Sequence, residues 1–182
     1  MSDFRSEQIE ELIRKVRRVC VKSDRCKFEF YVHNEIDPCR SEENQNMQEV
    51  LVLFKELEEY GLACEVKNTK KMSREEITRA YNASANWASN PQRPYGISRM
   101  IYALFLGGEA GDLFGKEVPA MIIYNSHGKI LFVLPHIVKV KKFSLQEYAQ
   151  NRMGHYQEET TITIYDFLTR LKREFNLKRS NY

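Results

Sequence analysis

The sequence predicts an α/β fold, and three observations carry that prediction. Cys26, Phe28, Phe30 and Val32 alternate with Lys27, Glu29, Tyr31 and His33 as a strand, a long helix-period segment follows, and a short apolar run comes after it at 62–67. That spacing describes a right-handed unit of strand, helix and parallel strand. Two later apolar runs, 120–124 and 129–133, are joined by Asn125-Ser126-His127-Gly128, a turn with glycine where a positive φ is needed, so they form a hairpin. Amphipathic helices at both ends of the chain supply the cover that such a sheet requires.

The elements follow in order. Ile9, Leu12, Ile13, Val16 and Cys20 recur at helical spacing and predict a helix over roughly 3–21, closed by the polar break 22–25. After the first strand, the loop 34–41 offers two helix starts, Asp37 before Pro38, or Ser41 before Glu42 and Glu43. The helix runs to Tyr60 and stops at Gly61; Met47, Val50, Leu51, Phe54 and Leu57 form its core face, widened by Val52 and Leu53. Residues 62–67 make the second strand. Ser73-Arg74-Glu75-Glu76 is a capping signature for a helix to about 81, and the segment 82–95, with Asn90-Pro91 and Arg93-Pro94, reads as irregular. A largely apolar helix follows over 96–106 and ends at Gly107-Gly108. Beyond the hairpin, 138–143 reads as an added strand or a basic arm and 144–152 as a short helix. Ile164, Phe167, Leu168, Leu171 and Phe175, with Thr163 as cap, give the closing helix.

With 182 residues and 42% of them hydrophobic, the chain fits one domain with an elaboration. Its 28 Lys and Arg against 25 Asp and Glu leave +3, an excess too small to diagnose a nucleic-acid partner. Basic residues cluster at 14–18, 67–71, 139–142 and 170–179; these read as solvated faces, with phosphate binding as the alternative. The N-terminal segment lacks the apolar core of a secretory signal, and no run approaches the ~18 apolar residues of a membrane span, so the expectation is a cytoplasmic protein with no membrane partner. Cys20, Cys26, Cys39 and Cys64 contain no C-x-x-C pair and are expected as free thiols, Cys20, Cys26 and Cys64 being buried as small hydrophobes. His33, His127, His136 and His155 lack ligand spacing, and the glycine-rich run 107–115 follows a helix and carries Glu109 and Asp112. Neither a metal nor a cofactor is expected.

Helix, strand, helix, strand, helical insertion, hairpin, long connection and helix is an order that resembles the thioredoxin-like fold. The residues that carry the resemblance are the apolar first strand leading to Cys39 at a helix start, the second parallel strand, Val118-Pro119 at the mouth of the third strand, the glycine-turned hairpin and the last helix. It covers 27–67 and 118–176 and leaves 68–117 as a helical insertion, a lid or partner surface. The resemblance implies that Pro119 is cis and borders the thiol site, with the backbone of Val118 turned toward an extended peptide. The alternative is that Pro119 simply starts a strand. The chain departs from the family at the thiol motif, because Ile36 and Glu42 stand three positions either side of Cys39 and exclude disulfide cycling within one motif. Cys39 is then the candidate nucleophile, with Arg40 and the helix dipole stabilising its thiolate against Glu35, Asp37, Glu42 and Glu43.

Two other patterns carry chemistry. Glu65-Val66-Lys67 matches the acid-x-Lys element of Mg²⁺-dependent nucleases, with Asp37 as upstream acid, although those enzymes place the two elements on neighbouring strands and a helix intervenes here. Trp87, Tyr81 and Tyr95 with Arg93 and Arg99 mix aromatic and basic groups that suit either a base or peptide, or the core. The functional expectations are therefore single-cysteine thiol chemistry or peptide binding at Cys39 and Pro119, with Val118, Tyr95 and Trp87 as binding residues. The alternative is a non-catalytic module for a protein or nucleic acid, and a nuclease using Glu65 and Lys67 stands third. The sequence leaves open whether the chain is an enzyme and what its oligomeric state is.

Overall fold

The computed structural model describes residues 4–23, 26–32, 42–93, 97–98, 100–102, 104–106, 120–143 and 155–179. Its elements in chain order are α1 (Phe4–Ser23), β1 (Lys27–Val32), α2 (Glu42–Glu56) with a 3₁₀ turn at Leu57–Tyr60, β2 (Ala63–Asn68) and α3 (Arg74–Ala88). Helical residues between 97 and 106 follow, then β3 (Ala120–Tyr124), β4 (Ile130–Leu134), β5 (His136–Phe143), β6 (His155–Ile162) and α4 (Ile164–Arg179). The main sheet has the order β2-β1-β3-β4, with β1 and β2 parallel and the other pairs antiparallel. This is an α/β fold with a thioredoxin-like arrangement: a mixed sheet flanked by helices, an N-terminal helix and a helical insertion before the hairpin. Two glycines hold turns that an L side chain would strain. Gly61, at φ 81°, ends the helical run before β2, and Gly128, at φ 71°, closes the β3–β4 hairpin.

Because β1 lies in the middle of the sheet, both of its faces must be covered. Phe28, Phe30 and Val32 point to one face, where they join Met121, Ile123, Phe132 and Leu134 beneath α1, α2 and α4. Ring contacts tie these layers together, Phe30 to Phe54 at 5.7 Å and Phe132 to Phe167 at 5.4 Å. On the opposite face Tyr31, Ala120, Ile122 and Val133 pack against Ile97, Ile101, Leu104 and Phe105. The Phe105 ring meets Tyr31 edge-on at 5.1 Å.

Several expectations are corrected. The capping box forms, with Ser73 Oγ accepting from the Glu76 amide at 3.2 Å and Glu76 Oε2 accepting from the Ser73 amide at 2.8 Å. The helix it starts runs on to Ala88 rather than stopping near 81, since Ala80, Ala83, Ala85 and Ala88 favour helix over the isolated Asn82 and Asn86 and the inward side of Ser84 and Ala88 is buried. Val52 is 57% exposed and does not widen the α2 core face. Strand β5 neither extends the main sheet nor stands alone as an arm; it pairs antiparallel with β6, which the sequence reading missed, in a register that sets Lys139 opposite Glu159. The short helix expected over 144–152 lies outside the described residues. Cys26 is disulfide-bonded, not a free thiol. The cis peptide among the described residues is Leu134-Pro135.

Part of the basic C-terminal cluster has internal partners. Arg170 pairs with Glu10, Lys172 with Glu56, and Arg17 with Glu174 at 3.3 Å, so these charges tie α1 and α2 to α4. Among the described residues no helix is long and apolar enough to cross a membrane.

Candidate functional site

The register of the sheet assembles a charged cluster that sequence order keeps apart. Glu29 sits opposite Glu65 and Tyr31 opposite Lys67 in the parallel pair, while Lys27 sits opposite Tyr124 in the antiparallel one. Side chains alternate between the faces of a strand, so all six groups lie on the face away from Phe28 and Phe30. Phe105 covers this face at Tyr31, but the helical cover stops before Lys27 and Glu29. There the sheet opens into a concavity of about 1060 Å³, walled by α3 through Arg79 and by the hairpin turn through Asn125 and Ser126.

A carboxylate lies almost buried at its floor. Glu29 is 5% exposed, and its Oε1 receives the ammonium groups of Lys27 at 2.8 Å and Lys67 at 2.9 Å, while its Oε2 accepts from the Tyr31 hydroxyl at 2.5 Å. Lys27 also bridges to Glu65 at 2.6 Å, and Lys67 lies 3.9 Å from the same oxygen. Two lysines and two glutamates thus alternate in a small square, with Tyr124 hydrogen-bonded to Glu29 and Tyr31 beside it.

This arrangement fixes the protons. Burial alone would raise the Glu29 carboxyl; hydrogen bonds from Lys27, Tyr31 and Lys67, with the Lys67 charge, outweigh it and hold the group at about 2 instead of 4.5. Burial raises the Tyr31 hydroxyl, reinforced by the neighbouring Tyr124 and by the Glu29 charge, and Tyr124 is raised by burial and then by Glu29. Burial opposes the charge on Lys27, but Glu29 and Glu65 together raise its pKa. Near neutral pH these groups are carboxylate, phenols and ammonium, none of them poised to exchange a proton.

The depressed carboxyl has a consequence for stability. Its pKa is lower in the folded than in the unfolded chain, so its contribution is complete above pH 4.5 and is lost as pH falls through about 2. The span corresponds to about 3 kcal/mol. Urea denaturation should show this loss between pH 4.5 and pH 2 in the wild type and a flatter acid limb in Glu29→Gln; parallel limbs would show that Glu29 gains nothing from its lysines.

Of the sequence-predicted residues, Glu65 and Lys67 enter this cluster. Glu29 is an acid on the neighbouring strand, opposite Glu65; Asp37 lies outside the described residues. Both carboxylates are engaged by lysines, and among the described residues no group of three or more His, Cys, Asp or Glu is placed to hold a metal ion. Trp87 is half-buried between the two core clusters, and the Arg93 guanidinium lies 4.4 Å above its ring while Arg93 Nε donates to the Trp87 carbonyl at 3.1 Å. Cys39, Arg40, Tyr95, Val118 and Pro119 lie outside the described residues. Near the end of β1, Tyr31 pairs with Ala120 at the start of β3. Cys64 is a free, partly buried thiol pushed up to about 12 by burial and then by the Glu58 charge, and so is unreactive near neutral pH.

Sequence reading missed Lys27, Glu29, Tyr31 and Tyr124 as site residues. The available signal was the row Lys27, Glu29 and Tyr31, charged and phenolic groups alternating with apolar residues on one strand. Comparison with protein-family models, with curated proteins and with solved structures finds no match to this chain.

Proposed function

We propose that this chain is a thioredoxin-like binding protein, non-catalytic at the described cluster, whose ligand seats in the concavity above Glu29. The observation that carries the reading is a nearly buried carboxylate held by two lysines at the floor of an open cavity. An ion cluster on a central strand is a poor way to gain stability, because apolar groups of the same size commonly do as well or better. Clusters of perturbed charges in a cleft are, by contrast, a usual mark of a ligand site. Binding is favoured over acid–base chemistry because Glu29 is held ionised while Tyr31 and Tyr124 are held protonated. Thiol chemistry or peptide binding at Cys39 and Pro119 draws its support from the strand order alone.

A screen of small polar compounds followed by amide chemical shifts tests this reading. Perturbations should gather on 27–31, 65–68 and 124–128. Hits that map consistently elsewhere, or no hits from a broad polar set, would overturn it.

A further inference from the structure

If the concavity above Glu29 is a ligand site, the groups that line it specify the chemistry of the ligand, so this inference rests on that proposed function. The hydrogen-bonding groups that face the cavity are not evenly spent. Its acceptors are largely committed: both Glu29 oxygens are engaged, Glu65 Oε2 receives Lys27 at 2.6 Å, and Glu76 Oε2 takes the Ser73 amide at 2.8 Å to cap α3. The carbonyl oxygens of the two lining asparagines are also used, Asn68 Oδ1 by the Lys70 amide at 3.0 Å and Asn125 Oδ1 by the amides of His127 and Lys129, each at 2.9 Å. An asparagine whose oxygen is engaged offers a newcomer its NH₂ group, which is a donor.

Donors are in surplus. Each lysine ammonium carries three N–H bonds, and Lys27 and Lys67 meet Glu29 and Glu65 with fewer than that. Exposed Arg79, on the α3 wall, adds a guanidinium. Lining charges comprise Lys27, Lys67, Lys71 and Arg79 against Glu29, Glu65 and Glu76, an excess of one positive charge. Among the lining carboxylates, Glu65, whose side chain is about half exposed at 48%, and exposed Glu76, through its other oxygen, keep spare acceptor capacity.

From this imbalance we infer that the concavity binds a small molecule carrying an oxyanion, a carboxylate or a phosphate, which the Lys27, Lys67 and Arg79 charges and the Asn68 and Asn125 amides receive. Size favours a small molecule over a polymer, since a cavity of about 1060 Å³ matches compact ligands, whose sites span roughly 300–1,000 Å³. A nucleic acid would call for a continuous basic stripe, whereas Arg17, Arg170 and Lys172 are spent on ion pairs between helices.

Titration of the full chain with inorganic phosphate, with succinate and with butylamine, followed by amide shifts at low ionic strength, tests the inference. Phosphate or succinate should saturate shifts at Lys27, Lys67 and Asn125, and which of the two binds more tightly separates a phosphate from a carboxylate ligand. Butylamine should leave those residues unmoved. Arg79→Ala, on the exposed side of α3, should weaken the oxyanion about fivefold with the unfolding temperature unchanged. Lys67→Arg should retain binding that Lys67→Gln loses. Saturating shifts from butylamine alone would overturn the oxyanion and leave the ligand site standing. Salt-steep binding of a single-stranded oligonucleotide at the same residues, without saturation by either small oxyanion, would also overturn it. If none of these probes moves residues 27–31 or 124–128 and the polar screen is silent there too, both readings fall.

Discussion

Glu29→Ala should lower the unfolding free energy at pH 7 by about 3 kcal/mol, the low end of what losing one partner of a buried ion pair costs. The physical reason is what the substitution leaves behind. Lys27 and Lys67 would face each other with their shared carboxylate gone, and the Tyr31 hydroxyl would lose its acceptor at a position that is 1% exposed. Water can reach the lysine side chains, which are 42% and 26% exposed, and this keeps the loss from being larger. Glu65→Ala should cost less than about 1 kcal/mol, because its carboxylate is 48% exposed and solvent replaces it. Urea denaturation of the two variants makes the comparison. Equal losses would mean that the two carboxylates are equally solvated and that Glu29 is not the anchor of the cluster.

Phe30→Ala should cost about 4 kcal/mol. Phe30 is fully buried on the middle strand and its ring lies 5.7 Å from that of Phe54 on α2, so truncation opens a void between sheet and helix that neither backbone can close. Val52→Ala, on the same helix as Phe54, should change stability by less than about 0.5 kcal/mol, since Val52 is 57% exposed. Measuring both with a common denaturant slope separates packing from helix propensity. A loss at Phe30 no greater than that at Val52 would contradict the sandwiching of β1 between two helical layers.

The Glu29 and Phe30 substitutions act on opposite faces of one strand, and the faces were not equally legible. Phe28, Phe30 and Val32 announced themselves by period-two alternation, as the rows of Val50, Phe54 and Leu57 and of Ile164, Phe167, Leu168 and Leu171 did by helical spacing. The β3–β4 hairpin was readable from Asn125 to Gly128, because its turn needs glycine at positive φ. Other local readings failed for identifiable reasons. Asn90-Pro91 and Arg93-Pro94 point to an irregular stretch from 82, whereas the alanine-rich segment carries α3 on to Ala88, just short of those prolines. Strand β6 escaped because its pairing with β5 is a long-range choice that its own residues advertise weakly. The bonded state of Cys26 was hidden because spacing alone says nothing about which sulfurs meet.

What the amino-acid sequence determined by itself was the α/β class, the parallel β1–β2 unit, the hairpin and the apolar faces of the helices, since each follows from a period or a turn written within a few residues. The candidate site was decided by tertiary structure. Glu65 and Lys67 could be marked in the sequence, but Glu29 became their partner only when β1 and β2 paired in a register that sets Glu29 beside Glu65 and Tyr31 beside Lys67. That same pairing, with helical cover ending before Lys27, turns a polar strand face into a charged cavity floor. A one-residue slip would turn those side chains to the other face, so the site exists through register, a property of two strands together that neither strand carries alone.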